Sequence, residues 1–168
     1  MSSYRKGKDD VNKWVREHFQ KGATCLDVGA GDGIWSDLLR DYLIMDAVEI
    51  FAPNITTHRL AEKYRAVYNE DIRTFKHGAY DLIIFGDVIE HMTVEEAQAV
   101  LVRAKLLAFD VIVAVPFNYK QGVLYGNVYE KHIQDDLTHL LFMERYPGFV
   151  PFVVFGDYGY YHLGRTEA

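Results

Sequence analysis

A single cysteine, Cys25, stands in the chain, so no internal disulfide can brace it. Cys25 sits inside an apolar run and reads as a small buried hydrophobe. No apolar run approaches the length that crosses a bilayer. Positive charge is in deficit: the net charge is −6, which argues against a broad nucleic-acid surface. Residues 1–10 are polar and charged, unlike a signal peptide, so a cytoplasmic protein without membrane attachment is expected. The seven histidines are scattered, and none forms a His-Glu-x-x-His or a Cys–His zinc spacing. No metal is therefore expected, although His91 and His132 could meet in space above a sheet. A Gly-x-Ser-x-Gly elbow and a Gly-Lys-Ser phosphate loop are also missing. Repeats, linkers and low-complexity segments are absent too, so 168 residues read as one domain, with an N-terminal helix over 1–20 and a core over 21–165.

What is present is an ordinary globular composition, 49% hydrophobic and 25% charged, long enough for a sizeable core. The organising stretch is 24–38. A short apolar run carrying an acid, Cys25-Leu26-Asp27-Val28, passes through alternate glycines Gly29, Gly31 and Gly33 into apolar residues at helical spacing, Ile34, Trp35, Leu38 and Leu39. That is a buried strand, a tight turn and a helix start. The free N–H groups of such a helix start face whatever lies over the turn. A dinucleotide turn wants Gly-x-Gly-x-x-Gly, and counting from Gly29 the third glycine would fall on Ile34. A nicotinamide-dependent oxidoreductase is thus disfavoured, and a plain βα turn with no nucleotide stays open.

The rest of the chain alternates in the same way. A helix is expected over 9–19, capped by Asp9 or Asp10, and the helix after the glycine turn should run to about Tyr42. Strands are expected at 47–50, 66–72, 80–85 and 110–115, with a helix starting at Asn54 and another over 94–107 opened by a Thr93/Glu96 capping box. A last helix over 134–145 precedes two strands, 149–155 and 158–163. This pattern predicts an α/β fold: a Rossmann-like, doubly wound, mostly parallel sheet of about seven strands, with a C-terminal antiparallel hairpin and helices on both faces. Ligands in such sheets bind beyond the carboxyl ends of the strands.

The Asp27-x-Gly-x-Gly-x-Gly turn, the strand order and the terminal hairpin resemble the class I S-adenosylmethionine-dependent methyltransferases, from about residue 21 to residue 165. The resemblance implies S-adenosylmethionine as cofactor, with Gly29, Gly31 and Gly33 under its methionine half and Asp27 holding the methionine amino group. Glu49 ends the second strand about twenty residues beyond the turn, where a ribose-binding acid belongs, against the alternative of a solvated strand-end glutamate. By the same resemblance Asp71 would take the adenine amino group and the Ile72 backbone N–H a ring nitrogen, with Glu70 as the competitor one residue away. Gly86-Asp87-Val88-Ile89-Glu90-His91 resembles the family's fourth motif. Gly86 would let the backbone approach the cofactor, and Asp87 would stand between cofactor and acceptor. Asp87, His91 and His132 are the candidate catalytic bases, imidazole titrating near neutral pH. The alternative is that Glu90 and His91 only bond neighbouring loops.

Pro116-Phe117-Asn118-Tyr119 departs from the Asn-Pro-Pro-Tyr of relatives that methylate nitrogens in nucleic acids and proteins. A small-molecule acceptor is therefore expected and a nucleic acid is not. Residues 126–132 read as a lid or acceptor wall, with Tyr129, Glu130 and His132 facing substrate. The tyrosine-rich ends, 125–129 and 158–161, either bury themselves in a partner, as in a homodimer, or complete the core. Methyl transfer is the expected activity; the reading from another class is a non-catalytic S-adenosylmethionine-binding partner subunit.

Overall fold

The computed structural model describes residues 5–164. Residues 1–4 of the polar start, and 165–168 with the expected core boundary at Arg165, lie outside the described residues. Seven strands form one sheet in the order β3-β2-β1-β4-β5-β7-β6. β1 (Thr24–Val28), β2 (Ile44–Val48), β3 (Ala66–Tyr68), β4 (Tyr80–Gly86) and β5 (Ala108–Pro116) run parallel. β7 (Tyr158–Gly164) lies antiparallel to both β5 and β6 (Val150–Val154), which closes the sheet with the expected hairpin.

Neighbouring residues of a strand point to opposite faces, and both faces here are covered. Ile83 and Phe85 of β4 face one core with Leu26, Val28 and the α4 (Val94–Leu107) residues Ala97, Val100, Leu101 and Ala104. Leu82 and Ile84 face the other, with Val11 and Val15 of α1 (Lys8–His18) and Trp35 and Leu39 of α2 (Ile34–Leu39). Central strands buried on both sides explain the continuous apolar runs in the sequence.

Several boundaries differ from expectation. α1 is capped by Gly7 in the left-handed region (φ 89°), and Asp9 and Asp10 lie in its first turn instead. α2 ends at Leu39 rather than Tyr42, because the chain turns there so that Ile44 N–H can bond Ala23 and start β2. β2 begins three residues early and stops at Val48, leaving Glu49 just past its end. β3 stops at Tyr68 rather than Ile72, because the chain turns at Asp71, whose carbonyl accepts from Thr74 and Phe75 N–H. α3 (Ala52–Thr57) begins two residues before Asn54 and is cut from the 3₁₀ turn Leu60–Glu62 by Arg59 at φ 53°. The last helix, α5 (His139–Arg145), begins five residues late, capped by Thr138. Gln134 is the reason: its side-chain amide donates to the carbonyls of Ile89 and Met92, and its oxygen accepts from Tyr146 Oη, which holds 134–138 as a strap. The Thr93/Glu96 capping box of α4 is present as expected, with both reciprocal bonds made. Of the tyrosine-rich ends, Tyr158, Tyr160 and Tyr161 complete the core, while Tyr125 is 95% exposed.

No helix among the described residues is long and apolar enough to cross a membrane.

Candidate functional site

From β1 the sheet grows in two directions, to β2 and β3 on one side and to β4 and β5 on the other. The crevice at such a switch point is where α/β sheets place ligands. Two chambers open there. The first, about 310 Å³, is lined by Val28, Val48, Glu49, Ile50, Asp71, Ile72 and Met92 among others. The second, about 360 Å³, is lined by Trp35, Gly86, Glu90, Phe117, Tyr119, His132 and Tyr158 among others. Gly29, Gly31, Asp87, His91 and Glu130 line both and so form the wall they share.

The glycine turn has three different reasons for its three glycines. Gly29, Gly31 and Gly33 all have positive φ, at 70°, 53° and 80°. A Cβ on Gly29 would stand 2.5 Å from Val88 Cγ2, and one on Gly33, which caps α2, would stand 2.7 Å from Lys63 Cδ. A Cβ on Gly31 would meet nothing nearer than the Gly29 carbonyl at 3.8 Å. Gly31 alone therefore keeps open space rather than protein packing. Gly86 lines the second chamber, and a Cβ there would overlap the Trp35 indole. Gly86→Ala should thus cost about 1–3 kcal/mol of stability, the usual penalty of overpacking, measured by denaturant unfolding.

Glu49 is 4% exposed, so it is no solvated strand-end glutamate. Its Oε2 accepts from Gly31 N–H and its Oε1 from Phe51 N–H, both at 2.8 Å. The side chain therefore ties the glycine turn to the end of β2. Burial raises its pKa against those backbone bonds, which lower it. Across the first chamber, Asp71 is held by Arg73, whose guanidinium reaches it at 2.7 Å and bridges on to Glu96; this pairing holds the Asp71 carboxyl below its usual range, against burial, which raises it. Ile72 is buried, and its carbonyl accepts from Arg103. Glu70 also lines the chamber, exposed.

Asp27 and Gly33 do not line either chamber. Asp27 is fully buried, and its Oδ2 accepts a 2.5 Å bond from Tyr64 Oη. Burial pushes its carboxyl up to about 7, partly offset by Tyr64 and by the charge of Lys8. Lys8 was not foreseen. It enters from α1, is 1% exposed, and its Nζ lies 4.3 Å over the Trp35 ring. Burial lowers its pKa, opposed by Asp87, Asp27 and Asp32. Lys8 Nζ and Asp27 Oδ1 are both buried without a hydrogen-bond partner among the described residues. No local signal separates Lys8 from the other lysines near the N-terminus; only the docking of α1 does.

Asp87 sits at φ 57° with its N–H on the Ala114 carbonyl, and its Oδ1 accepts from Tyr158 Oη at 2.5 Å. Backbone strain of this kind clusters at functional sites. His91 and His132 do meet, with ring centroids 4.8 Å apart. His91 Nδ1 pairs with the Lys131 carbonyl and His132 Nδ1 with the Tyr119 carbonyl, so each ring keeps Nε2 for the chamber. Burial, joined by His91, lowers the His132 pKa. Of the expected wall over 126–132, residues 127–131 line the first chamber, and Glu130 and His132 the second.

A family model described as a methyltransferase domain matches residues 4–107. No curated protein matches the chain. Solved structures do. An S-adenosylmethionine-dependent methyltransferase from Clostridium acetobutylicum is 12% identical with a TM-score of 0.72, covering 96% of this chain and 92% of that one. A magnesium protoporphyrin IX methyltransferase from Synechocystis, with bound SAM, is 18% identical with a TM-score of 0.64, covering 94% and 77%. A 1,6-didemethyltoxoflavin-N1-methyltransferase from Burkholderia thailandensis, with bound 1,6-didemethyltoxoflavin and S-adenosylhomocysteine, is 19% identical with a TM-score of 0.66, covering 96% and 79%. At such identities the likeness is one of fold.

Proposed function

The chain belongs to the methyltransferase-domain family, and on that premise we propose that it transfers the methyl group of S-adenosylmethionine to a small-molecule acceptor. The observation that carries this reading is the pair of chambers joined at Gly29, Gly31, Asp87, His91 and Glu130, one for each substrate. The structural neighbours named for a porphyrin and for toxoflavin act on small molecules, and the net charge of −6 likewise favours a small acceptor over a nucleic acid.

The residues fit the cofactor. The apolar first chamber, with Ile50, Ile72 and Met92, suits a planar base. Asp71 and the Ile72 backbone address its edge, and Glu49 accepts from the ribose hydroxyls with the lone pairs its two backbone bonds leave. Lys8 Nζ and Asp27 Oδ1 lie buried behind the lining of both chambers, opposite in charge and without hydrogen-bond partners among the described residues; an amino-acid end whose carboxylate and ammonium pair with them must open that lining. Bound there, S-adenosylmethionine would supply an electrophilic methyl group open to in-line attack by the acceptor, with S-adenosylhomocysteine as the leaving group. The protein contributes orientation and exclusion of water. Trp35, Phe117, Tyr119 and Tyr158 wall the acceptor chamber.

The reading makes affinity pH-dependent. An ammonium ligand needs Asp27 ionised, and its carboxyl titrates at about 7. Protonation below that value competes with binding, so S-adenosylhomocysteine should bind about tenfold more weakly at pH 6 than at pH 8, a decade per pH unit below the pKa. Calorimetry across pH checks this, and Asp27→Asn should bind weakly with a flat profile.

The direct test is to incubate the protein with methyl-labelled S-adenosylmethionine and a small-molecule extract. Label in the small-molecule fraction, matched by S-adenosylhomocysteine release, is expected. Label in RNA or protein, or no release, would contradict the reading.

A further inference from the structure

Glu90 is fully buried, and neither carboxylate oxygen has a hydrogen-bond partner among the described residues. Such a group is costly unless something pairs it. Its side chain ends beside two imidazoles. Glu90 Oε1 stands 4.0 Å from His91 Nε2, and one donor atom from each of Glu90, His91 and His132 falls within 4.8 Å of the others. All three residues line the acceptor chamber.

The histidines are prepared in the way metal ligands are. Each uses Nδ1 on a backbone carbonyl, at 3.1 Å for His91 and 2.7 Å for His132. That contact fixes the ring and the tautomer and leaves Nε2 bare as a ligand. The scaffold beneath them is stitched as well. The Glu90 carbonyl accepts from Ile133 and Gln134 N–H, and His132 N–H donates to Gln121. The segment bearing His132 is thus fastened to the 3₁₀ turn Ile89–His91 through Lys131 on one side of the ligand and Ile133 and Gln134 on the other.

We propose that Glu90, His91 and His132 bind a divalent ion of the borderline class, Co²⁺ or Zn²⁺, in the wall of the second chamber. Two imidazoles and one carboxylate are the donor set of such ions, with coordination positions left over. Bonds of about 2.1 Å place ligand atoms roughly 3–4 Å apart, so the widest separation in the triad closes by about 1–2 Å to take the ion. Hard Mg²⁺ should bind less well, since it prefers oxygen ligands and its own waters. The open positions face the chamber that the proposed function assigns to the acceptor. On that function's reading, the acceptor is a molecule offering an oxygen donor, a hydroxyl or carboxylate, next to the methylated atom. The ion site itself does not depend on it. The sequence concealed the site because His132 is 41 positions beyond His91, outside the short spacings of local metal-binding motifs.

The test is titration of chelator-stripped protein with Co²⁺, followed by calorimetry and by visible absorption. One-to-one saturable binding is expected. Glu90→Gln and His132→Ala should each weaken it by at least about a hundredfold, beyond the usual loss from an outer-shell partner, and the surface variant His18→Ala should not. No saturation up to millimolar Co²⁺ in the wild type overturns the site, whatever the variants do, as does binding that survives both substitutions. Parallel titration with S-adenosylhomocysteine separates this inference from the function. Nucleoside binding without Co²⁺ binding sinks the metal site alone; Co²⁺ binding without nucleoside binding sinks the methyltransferase reading alone.

Discussion

Gly31→Val should leave the protein folded and lower its affinity for S-adenosylhomocysteine by at least about a hundredfold, some 2.7 kcal/mol. The two halves of that result have separate causes. Gly31 holds φ 53°, and a side chain in the left-handed region costs roughly 1–2 kcal/mol. That is a tolerable loss for a domain with cores on both faces of its sheet. Among the described residues, the nearest neighbour of a Cβ there is a carbonyl 3.8 Å away. What the new atoms do occupy is the wall common to both chambers. The isopropyl group would stand where cofactor is expected. Circular dichroism and calorimetry on one sample check both halves. An unfolded product would mean that Gly31 serves the turn alone, and unchanged affinity would mean that the cofactor lies elsewhere.

Glu49→Ala should weaken S-adenosylhomocysteine binding by about tenfold to a hundredfold, the worth of a charge-assisted hydrogen bond of roughly 1.5–3 kcal/mol. It should also destabilise the free protein by about 1–3 kcal/mol, because the Gly31 and Phe51 N–H groups lose the acceptors they hold at 2.8 Å. A cycle with the 2′-deoxy ligand divides the two effects. In the wild type, removing that ribose hydroxyl should cost several-fold in affinity; in Glu49→Ala it should cost almost nothing. Equal losses in both proteins would show that Glu49 supports the turn and does not touch the ribose.

Much of this site was legible because its information is local. Strand, turn and helix start between Thr24 and Leu39 are contiguous, and the glycines there answer to a backbone with positive φ, which sequence shows directly. The Thr93/Glu96 box is equally local. What failed depended on distant partners. Residues 134–138 look helical, but Gln134 spends its amide on carbonyls more than forty positions away. Gly86 is legible as a glycine of close approach, but that Trp35, from another element, fills the space a side chain would need is not. Lys8 is one basic residue among several until α1 docks and buries it over Trp35. Glu90 was noted beside His91, yet only the fold reveals that its carboxylate faces two imidazoles rather than a loop.

The measurement closest to the central claim is calorimetric titration of the wild-type protein with S-adenosylhomocysteine, run beside NAD. One site of micromolar affinity for S-adenosylhomocysteine, with no heat from NAD, is the predicted result. Silence from S-adenosylhomocysteine, or a preference for NAD, would contradict it.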